Sequence, residues 1–160
     1  MPTLAPTPSA ETPAAQTIAV TPWIDPIVDE RGHDPRSTYA ERFWLPTLGP
    51  TATLLLRRVV DGFDDHPHGF RLDLSVTAHS LGLGRAVGQQ NAFAKAFRRC
   101  VLFGLAHQCR DGFAVRRLLP PIARRHLERL PEELRRAHAT WLAESTCSLP
   151  GIHPLGAAGA

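Results

Sequence analysis

The order of predicted elements between Phe70 and Leu119 constrains this chain more than any other feature of its sequence. The segment reads as a strand, a short helix, a glycine-rich loop, a basic helix and a two-stranded hairpin. Its first part, from Phe70 to Leu74, alternates apolar and polar residues with the period of a half-buried strand. This order predicts a helical unit that ends in a small antiparallel hairpin.

The basic helix is predicted from Ala92 to Phe103, after Asn91 as its N-terminal cap. Phe93 and Phe97 share an apolar face. Gly104 follows the helix at the position where a left-handed residue is favoured. The helix therefore has a defined core face and defined ends.

The hairpin is predicted from the dipeptide Asp111-Gly112. Its strands are Leu105 to Arg110 and Phe113 to Arg117. A two-residue turn of this type favours positive φ angles, which aspartate and glycine tolerate. The dipeptide therefore predicts a tight antiparallel turn.

Further helices are predicted on both sides of this unit, within a single domain. They span 35–45, a segment that opens at Gly49-Pro50, 76–81, 123–129 and a segment that opens at Pro131. The domain is predicted at 35–144, with its core at 50–119. Residues 1–34 are predicted to be a disordered arm rich in Pro, Ala and Thr, because such a composition buries too little apolar surface to offset the entropy of ordering. Residues 145–160 are predicted to be a disordered tail.

Positive charge is concentrated in one part of the chain. Residues 1–84 hold six arginines against ten acids, a net charge of −4. Residues 85–130 hold ten basic residues against two acids, a net charge of +8, and residues 131–160 hold two against three, a net charge of −1. Such segregation is typical of a surface that meets phosphate groups.

The stretch FRLDLSVTAHSLGLG…NAFAKAFRRCVLFGLAHQCRDGFAVRRL, with its Leu81-Gly82, Gly104-Leu105 and Asp111-Gly112 pairs, resembles the winged helix-turn-helix family over roughly residues 50–119. The resemblance implies a mainly α fold with a small antiparallel β wing, flanked by extra N- and C-terminal helices. It also implies that the helix after Asn91 recognises DNA and that the wing contacts phosphate. The candidate DNA-binding residues are Arg85, Gln90, Asn91, Lys95, Arg98, Arg99, Arg110, Arg116 and Arg117.

The function expected from this resemblance is sequence-specific binding of double-stranded DNA, with transcriptional regulation in a bacterial cytosol as its purpose. Asparagine pairs with adenine, and arginine or lysine pairs with guanine or phosphate. The connection from Leu81 to Asn91 is about twice the usual turn of three or four residues, so it either contacts DNA or hinders docking. The alternative is a winged protein-interaction adaptor of the transcription or replication machinery that does not bind DNA.

The sequence contains no strong signal for a metal, a nucleotide or a catalytic centre. Cys100, His107 and Cys109, with His66 and His68, contain the preferred ligands of zinc but no CxxC spacing. Gly82, Gly84 and Gly88 do not match GxGxxG, and no phosphate-loop or nucleophile-elbow motif occurs. We therefore expect no cofactor, no metal, no small-molecule ligand and no enzymatic activity.

Two expectations concern location and assembly. The chain has neither the pattern of a secretory signal nor an apolar run long enough for a membrane span, so a cytoplasmic protein without membrane contact is predicted. The apolar residues Tyr39, Phe43, Trp44, Trp141 and Leu142 fit either a homodimer interface or packing of the first and last helices within one chain.

Overall fold

Helices surround a small mixed sheet in the computed structural model, which describes residues 16–84 and 92–147. About 57% of the described part is helical, so the fold is mixed α/β. In chain order the elements are β1 (Thr17–Trp23), α1 (Pro26–Arg31), a π-helical turn (Ala40–Trp44), α2 (Leu45–Leu48), α3 (Pro50–Asp65), β2 (Phe70–Asp73), α4 (Leu74–Ser80), α5 (Ala92–Leu102), β3 (Ala106–Cys109), β4 (Gly112–Arg116), α6 (Arg124–Leu127) and α7 (Glu132–Cys147).

The sheet has four strands in the order β2-β1-β4-β3. β3 and β4 form the predicted antiparallel hairpin, with Ala106 opposite Val115. β1 pairs antiparallel with β2 and parallel with β4. The hairpin is antiparallel as expected, but it belongs to a larger mixed sheet that was not expected, because a strand from the start of the chain lies between β2 and the hairpin.

β1 also corrects the predicted extent of the N-terminal arm. Residues 1–34 were expected to be disordered, but Thr17–Trp23 is a central strand and Pro26–Arg31 is a helix. Val20 is fully buried in the core. The backbone of His33 exchanges two hydrogen bonds with that of Leu119, each 2.8 Å long. The ordering entropy is offset by these pairings with distant segments, which the local composition does not show. Residues 1–15 lie outside the described part.

The hairpin turn lies one residue earlier than predicted. Cys109 pairs with Gly112, so the two turn residues are Arg110 and Asp111, and neither has a positive φ. Gly112 instead lies opposite Ala19 of β1, and a Cβ at Gly112 would collide with the Ala19 carbonyl. Glycine is required here by the close approach of β1 and not by the turn.

The predicted helix that opens at Pro50 is confirmed as α3, but it continues to Asp65 instead of ending near Asp61. Arg36, which lies outside the helix, holds this extra turn in place. Arg36 bonds to Asp61 through Nη1, 2.8 Å from Oδ1, and also pairs with Asp64. Polar residues that look like a loop in sequence therefore form the last turn of a helix.

The remaining helices differ from prediction mainly at their ends. The helix expected at 35–45 is helical from residue 38, continues through α2 to Leu48 and includes the π-helical turn. α4 begins at Leu74 because the Asp73 carboxylate accepts a hydrogen bond from the Val76 N–H. α6 is shorter than the expected 123–129. α7 extends to Cys147, so residues 145–147 are helical and not part of a disordered tail as expected. Residues 148–160 lie outside the described part.

Tyr39 lies at the centre of a buried aromatic cluster that joins α7 to the body. Its ring packs edge-on against Phe43 at 5.0 Å and against Trp141 at 5.8 Å. Its oxygen accepts the Ile122 N–H at 3.0 Å and lies 3.0 Å from His138 Nε2. The cluster packs the helical segment that begins at residue 38 against α7 within one chain, which is one of the two arrangements expected from the sequence, whereas Leu142 is exposed.

We expect Gly112→Ala to destabilise the protein by about 1–3 kcal/mol, the usual cost of forcing extra volume into a packed site. The reason is the collision between the new Cβ and the Ala19 carbonyl. The matched control is Gly84→Ala, because a Cβ at Gly84 meets nothing within 4 Å. Urea unfolding measures both variants, and equal stabilities would contradict the close β1–β4 contact.

Stability should decrease as pH falls from about 8 to about 5. Burial lowers the pKa of His138 below its ordinary value of 6.5, and burial, reinforced by the charge of His138, lowers that of His33. The unfolded chain therefore takes up protons at a higher pH than the folded chain, and this uptake favours unfolding. His138→Gln should lower the number of protons taken up on unfolding by up to about one, which makes the free energy of unfolding less dependent on pH.

The control for this measurement is His68→Gln in the exposed loop before β2. Urea unfolding at a series of pH values gives the free energy of unfolding for each variant. A wild-type pH dependence in His138→Gln would show that the buried histidine is not its source.

Candidate nucleic-acid interface

α5 carries a basic outer face on a buried apolar base. Phe93, Ala96, Phe97 and Cys100 are buried. The Phe97 ring stacks on Phe113 of β4 with centroids 4.5 Å apart. Lys95, Arg98 and Arg99 are exposed on the other side of the helix. The predicted amphipathic helix is thus confirmed, and its three basic residues lie on one element.

The three basic residues of α5 line a solvent-open groove of about 550 Å³ between α5 and the start of α3. The described residues that line it are Leu48, Gly49, Pro50, Thr51, Ala52, Ala92, Lys95, Ala96, Arg98, Arg99 and Leu102. None of them is acidic. A groove with three positive charges and uncharged walls attracts anions.

Arg99 is held across one end of this groove. Its Nη2 donates to the Thr47 carbonyl at 2.8 Å, and its guanidinium carbon lies 5.5 Å from the centre of the Phe103 ring. These contacts fix the guanidinium before any ligand binds, which reduces the entropy lost on binding.

Arg110 lies exposed at the tip of the hairpin. The hairpin returns toward the N-terminal half of α5, because β3 follows the C-terminal end of α5 and Phe113, next to the tip, stacks on Phe97. Phe97 belongs to the buried face of α5, so the hairpin packs on that face and not on the face that carries Lys95. Of the three predicted wing arginines, Arg110 is the exposed one.

Arg116 is held in contacts with the N-terminal segment. Its Nη1 lies 2.7 Å from the Asp25 carboxylate, its Nε donates to the Gly104 carbonyl at 2.8 Å, and its guanidinium carbon lies 3.8 Å from the centre of the Trp23 ring. The side chain is 13% exposed. The hydrogen bond from Arg116 is the main reason that the pKa of Asp25 lies below its ordinary value. Arg116 thus joins the hairpin to the segment after β1.

Arg117 lies at the far end of α3 from the basic groove. Its Nη2 donates to the Pro67 carbonyl at 2.6 Å, and its guanidinium carbon lies 5.5 Å from the Phe63 ring centre. α3 is about 24 Å long at 1.5 Å per residue. Arg117 also borders a cavity of about 270 Å³ whose lining includes Asp29, Asp34 and Asp64. This acidic setting disfavours phosphate.

The remaining candidates Arg85, Gln90 and Asn91 lie outside the described residues. The same holds for most of the glycine-rich connection from Leu81 to Asn91. The structure therefore brings Lys95, Arg98 and Arg99 together around one groove, leaves Arg110 exposed at the hairpin tip, and holds Arg116 and Arg117 in contacts elsewhere.

Sequence reasoning missed the second wall of the groove. Gly49-Pro50 was interpreted only as the start of a helix, yet this start faces the basic side of α5. Gly49 has a φ of +88°, a conformation that L residues with side chains rarely adopt. The dipeptide predicted the helix boundary, but which helix it faces depends on tertiary packing.

The imagined zinc ligands are separated in the fold. Cys100 is buried in the core, where burial raises the pKa of its thiol to about 12, whereas Cys109 is exposed on β3. Within residues 16–84 and 92–147, no group of three or more His, Cys, Asp or Glu side chains is arranged to hold a metal ion.

Comparisons with known proteins give no family. No protein-family model matches the chain, and searches of curated proteins and of solved structures find no significant match. Among the described helices, none combines the length and apolarity needed to cross a membrane.

We expect Arg116→Ala to destabilise the protein by about 1.5–3 kcal/mol, the range for hydrogen bonds to charged groups. Arg110→Ala removes the same charge from an exposed turn and should stay within about 0.5 kcal/mol of the wild type. Urea unfolding separates the two hairpin arginines. Wild-type stability in Arg116→Ala would contradict its structural role.

Proposed function

We propose that this protein binds double-stranded DNA through the basic face of α5, with Arg110 at the exposed hairpin tip as a further contact. The observation that carries the proposal is the placement of Lys95, Arg98 and Arg99 along one open groove whose described lining contains no acid. DNA binding of this kind fits a regulator of transcription that has no catalytic activity.

A winged helix-turn-helix is the proposed architecture of the core. The order α3-β2-α4-α5-β3-β4 is the helix, strand and hairpin order expected of that family. β1 is an addition, because it separates β2 from the hairpin in the sheet. In this arrangement α5 is the recognition helix.

The position of two hairpin arginines favours a second candidate, a protein-interaction adaptor. Arg116 pairs with Asp25, and Arg117 borders a cavity whose lining includes three aspartates, so the hairpin presents less positive charge than its sequence suggests. The two functions differ in their response to salt. Phosphate contacts release counterions from DNA, so the affinity of a DNA-binding protein falls steeply as salt rises.

We expect the wild-type protein to bind a duplex of about 20 base pairs with an affinity that falls steeply between about 50 and 200 mM salt. Lys95→Gln and Arg98→Gln should each reduce the slope of log affinity against log salt by about 0.9, the value for one lost phosphate contact. Fluorescence anisotropy with a labelled duplex measures the slope.

The matched control is Arg136→Gln on α7, which removes one positive charge from an exposed intrahelical pair with Glu132. It should leave the slope unchanged. Absence of duplex binding at low salt would reject the DNA proposal and favour the adaptor. An equal loss in Arg136→Gln would show that only net charge matters.

A further inference from the structure

We propose that the groove between the start of α3 and α5 is a seat for a phosphodiester group of the DNA backbone. The inference rests on the proposed function and deepens it, because it assigns Lys95, Arg98 and Arg99 to phosphate and not to base edges. Their binding energy is then the same for every DNA sequence.

The direction of the basic side chains favours contact with the DNA backbone over contact with the bases. All three line the same groove, whose opposite wall is Pro50, Thr51 and Ala52 of α3. A side chain that reads a base must extend from α5 into the major groove. Side chains that line a cleft between two helices of the protein instead meet a group that enters this cleft, and the sugar-phosphate strand bordering the major groove is such a group.

The groove has space for a strand of the DNA backbone. Its lining includes Gly49, which has no side chain, and Ala52, Ala92 and Ala96, whose side chains end at the Cβ. An added Cβ at Gly49 would lie 4.0 Å from Arg99 Nε, so the residue leaves the guanidinium accessible from this side. A volume of about 550 Å³ that is open to solvent admits a backbone that passes through it.

Arg99 has hydrogen-bond donors beyond the one that its protein contact uses. A guanidinium has five N–H donors in a fixed plane, and the bond to the Thr47 carbonyl is made through one of its nitrogens, Nη2. Arginine presents paired donors to phosphate oxygens, whereas lysine acts as a point charge. Arg99 is therefore the orienting residue of the seat, with Lys95 and Arg98 adding charge.

The test places a carboxylate on the α3 wall. Thr51→Glu leaves every basic residue in place, and an acid in the first turn of a helix is favourable, so the variant should fold. Its charge opposes a phosphate in the groove. We expect at least about a tenfold loss of affinity for the 20-base-pair duplex, of the size of a lost charged hydrogen bond. The matched control is Thr140→Glu, which makes the same change on an exposed part of α7 and should alter affinity less than about twofold.

A second measurement uses inorganic phosphate as the probe. In ¹⁵N-edited NMR at constant ionic strength, phosphate should shift the Arg99 Nε–H and Thr51 N–H signals in the wild type. In Thr51→Glu, the shifts of the Arg99 Nε–H and of the backbone N–H at position 51 should both be weaker. Thr140→Glu should leave both shifts unchanged. These readings do not depend on DNA binding.

The outcomes separate the two proposals. Duplex binding that Thr51→Glu leaves unchanged would overturn the seat while the DNA function stands. Phosphate shifts in a protein that binds no duplex would reject the DNA function and support an anion site for a free phosphate ligand. Shifts of Arg99 together with the loss of duplex affinity support the backbone seat. Shifts spread over exposed arginines of α7 as well would overturn it.

Discussion

The pairing of β1 with both β2 and β4 is the constraint on which the rest of the structure depends. β2 precedes α4 and β4 ends the hairpin, and the described sheet joins them only through β1. Val20 is fully buried at this centre, and Gly112 lets the two backbones approach. The hairpin in turn gives α5 its support through the Phe97–Phe113 stack. The orientation of the basic face therefore depends on a strand far from it in sequence.

The elements predicted well from the sequence were those whose signals are local. The apolar periodicity of α3 and α5, the alternation in Phe70–Asp73 and the left-handed Gly104 each arise within a few residues. β1 was missed because the Pro-, Thr- and Ala-rich composition of the first residues was extended over all of 1–34. Its β-branched residues Thr17, Ile18, Val20 and Thr21 were a usable signal. Its parallel pairing was not predictable, since the partner residues lie about ninety positions away.

The same distinction between local and long-range signals explains which parts of the candidate site could be predicted from the sequence. Segregation of charge predicted a basic helix, and the structure places three of its side chains in one groove. It did not predict which arginines the protein uses for its own contacts. Arg116 bonds to Asp25, 91 residues earlier, and Arg117 bonds to the Pro67 carbonyl, 50 residues earlier. An arginine adds to the charge available to a ligand only where no neighbouring carboxylate offsets it, and carboxylates lie beside both of these arginines.

The proposed assignment of the α5 basic residues to phosphate affects how the protein would distinguish one DNA sequence from another. If Lys95, Arg98 and Arg99 contact phosphate, they position the duplex and supply affinity, but they do not distinguish base pairs. Among the described residues of α5, they are the exposed polar side chains, since the others on that surface are Ala92, Val101 and Leu102. Any selectivity of the proposed complex then comes from outside the described part of α5, through other side chains or through the sequence-dependent shape and deformability of the duplex.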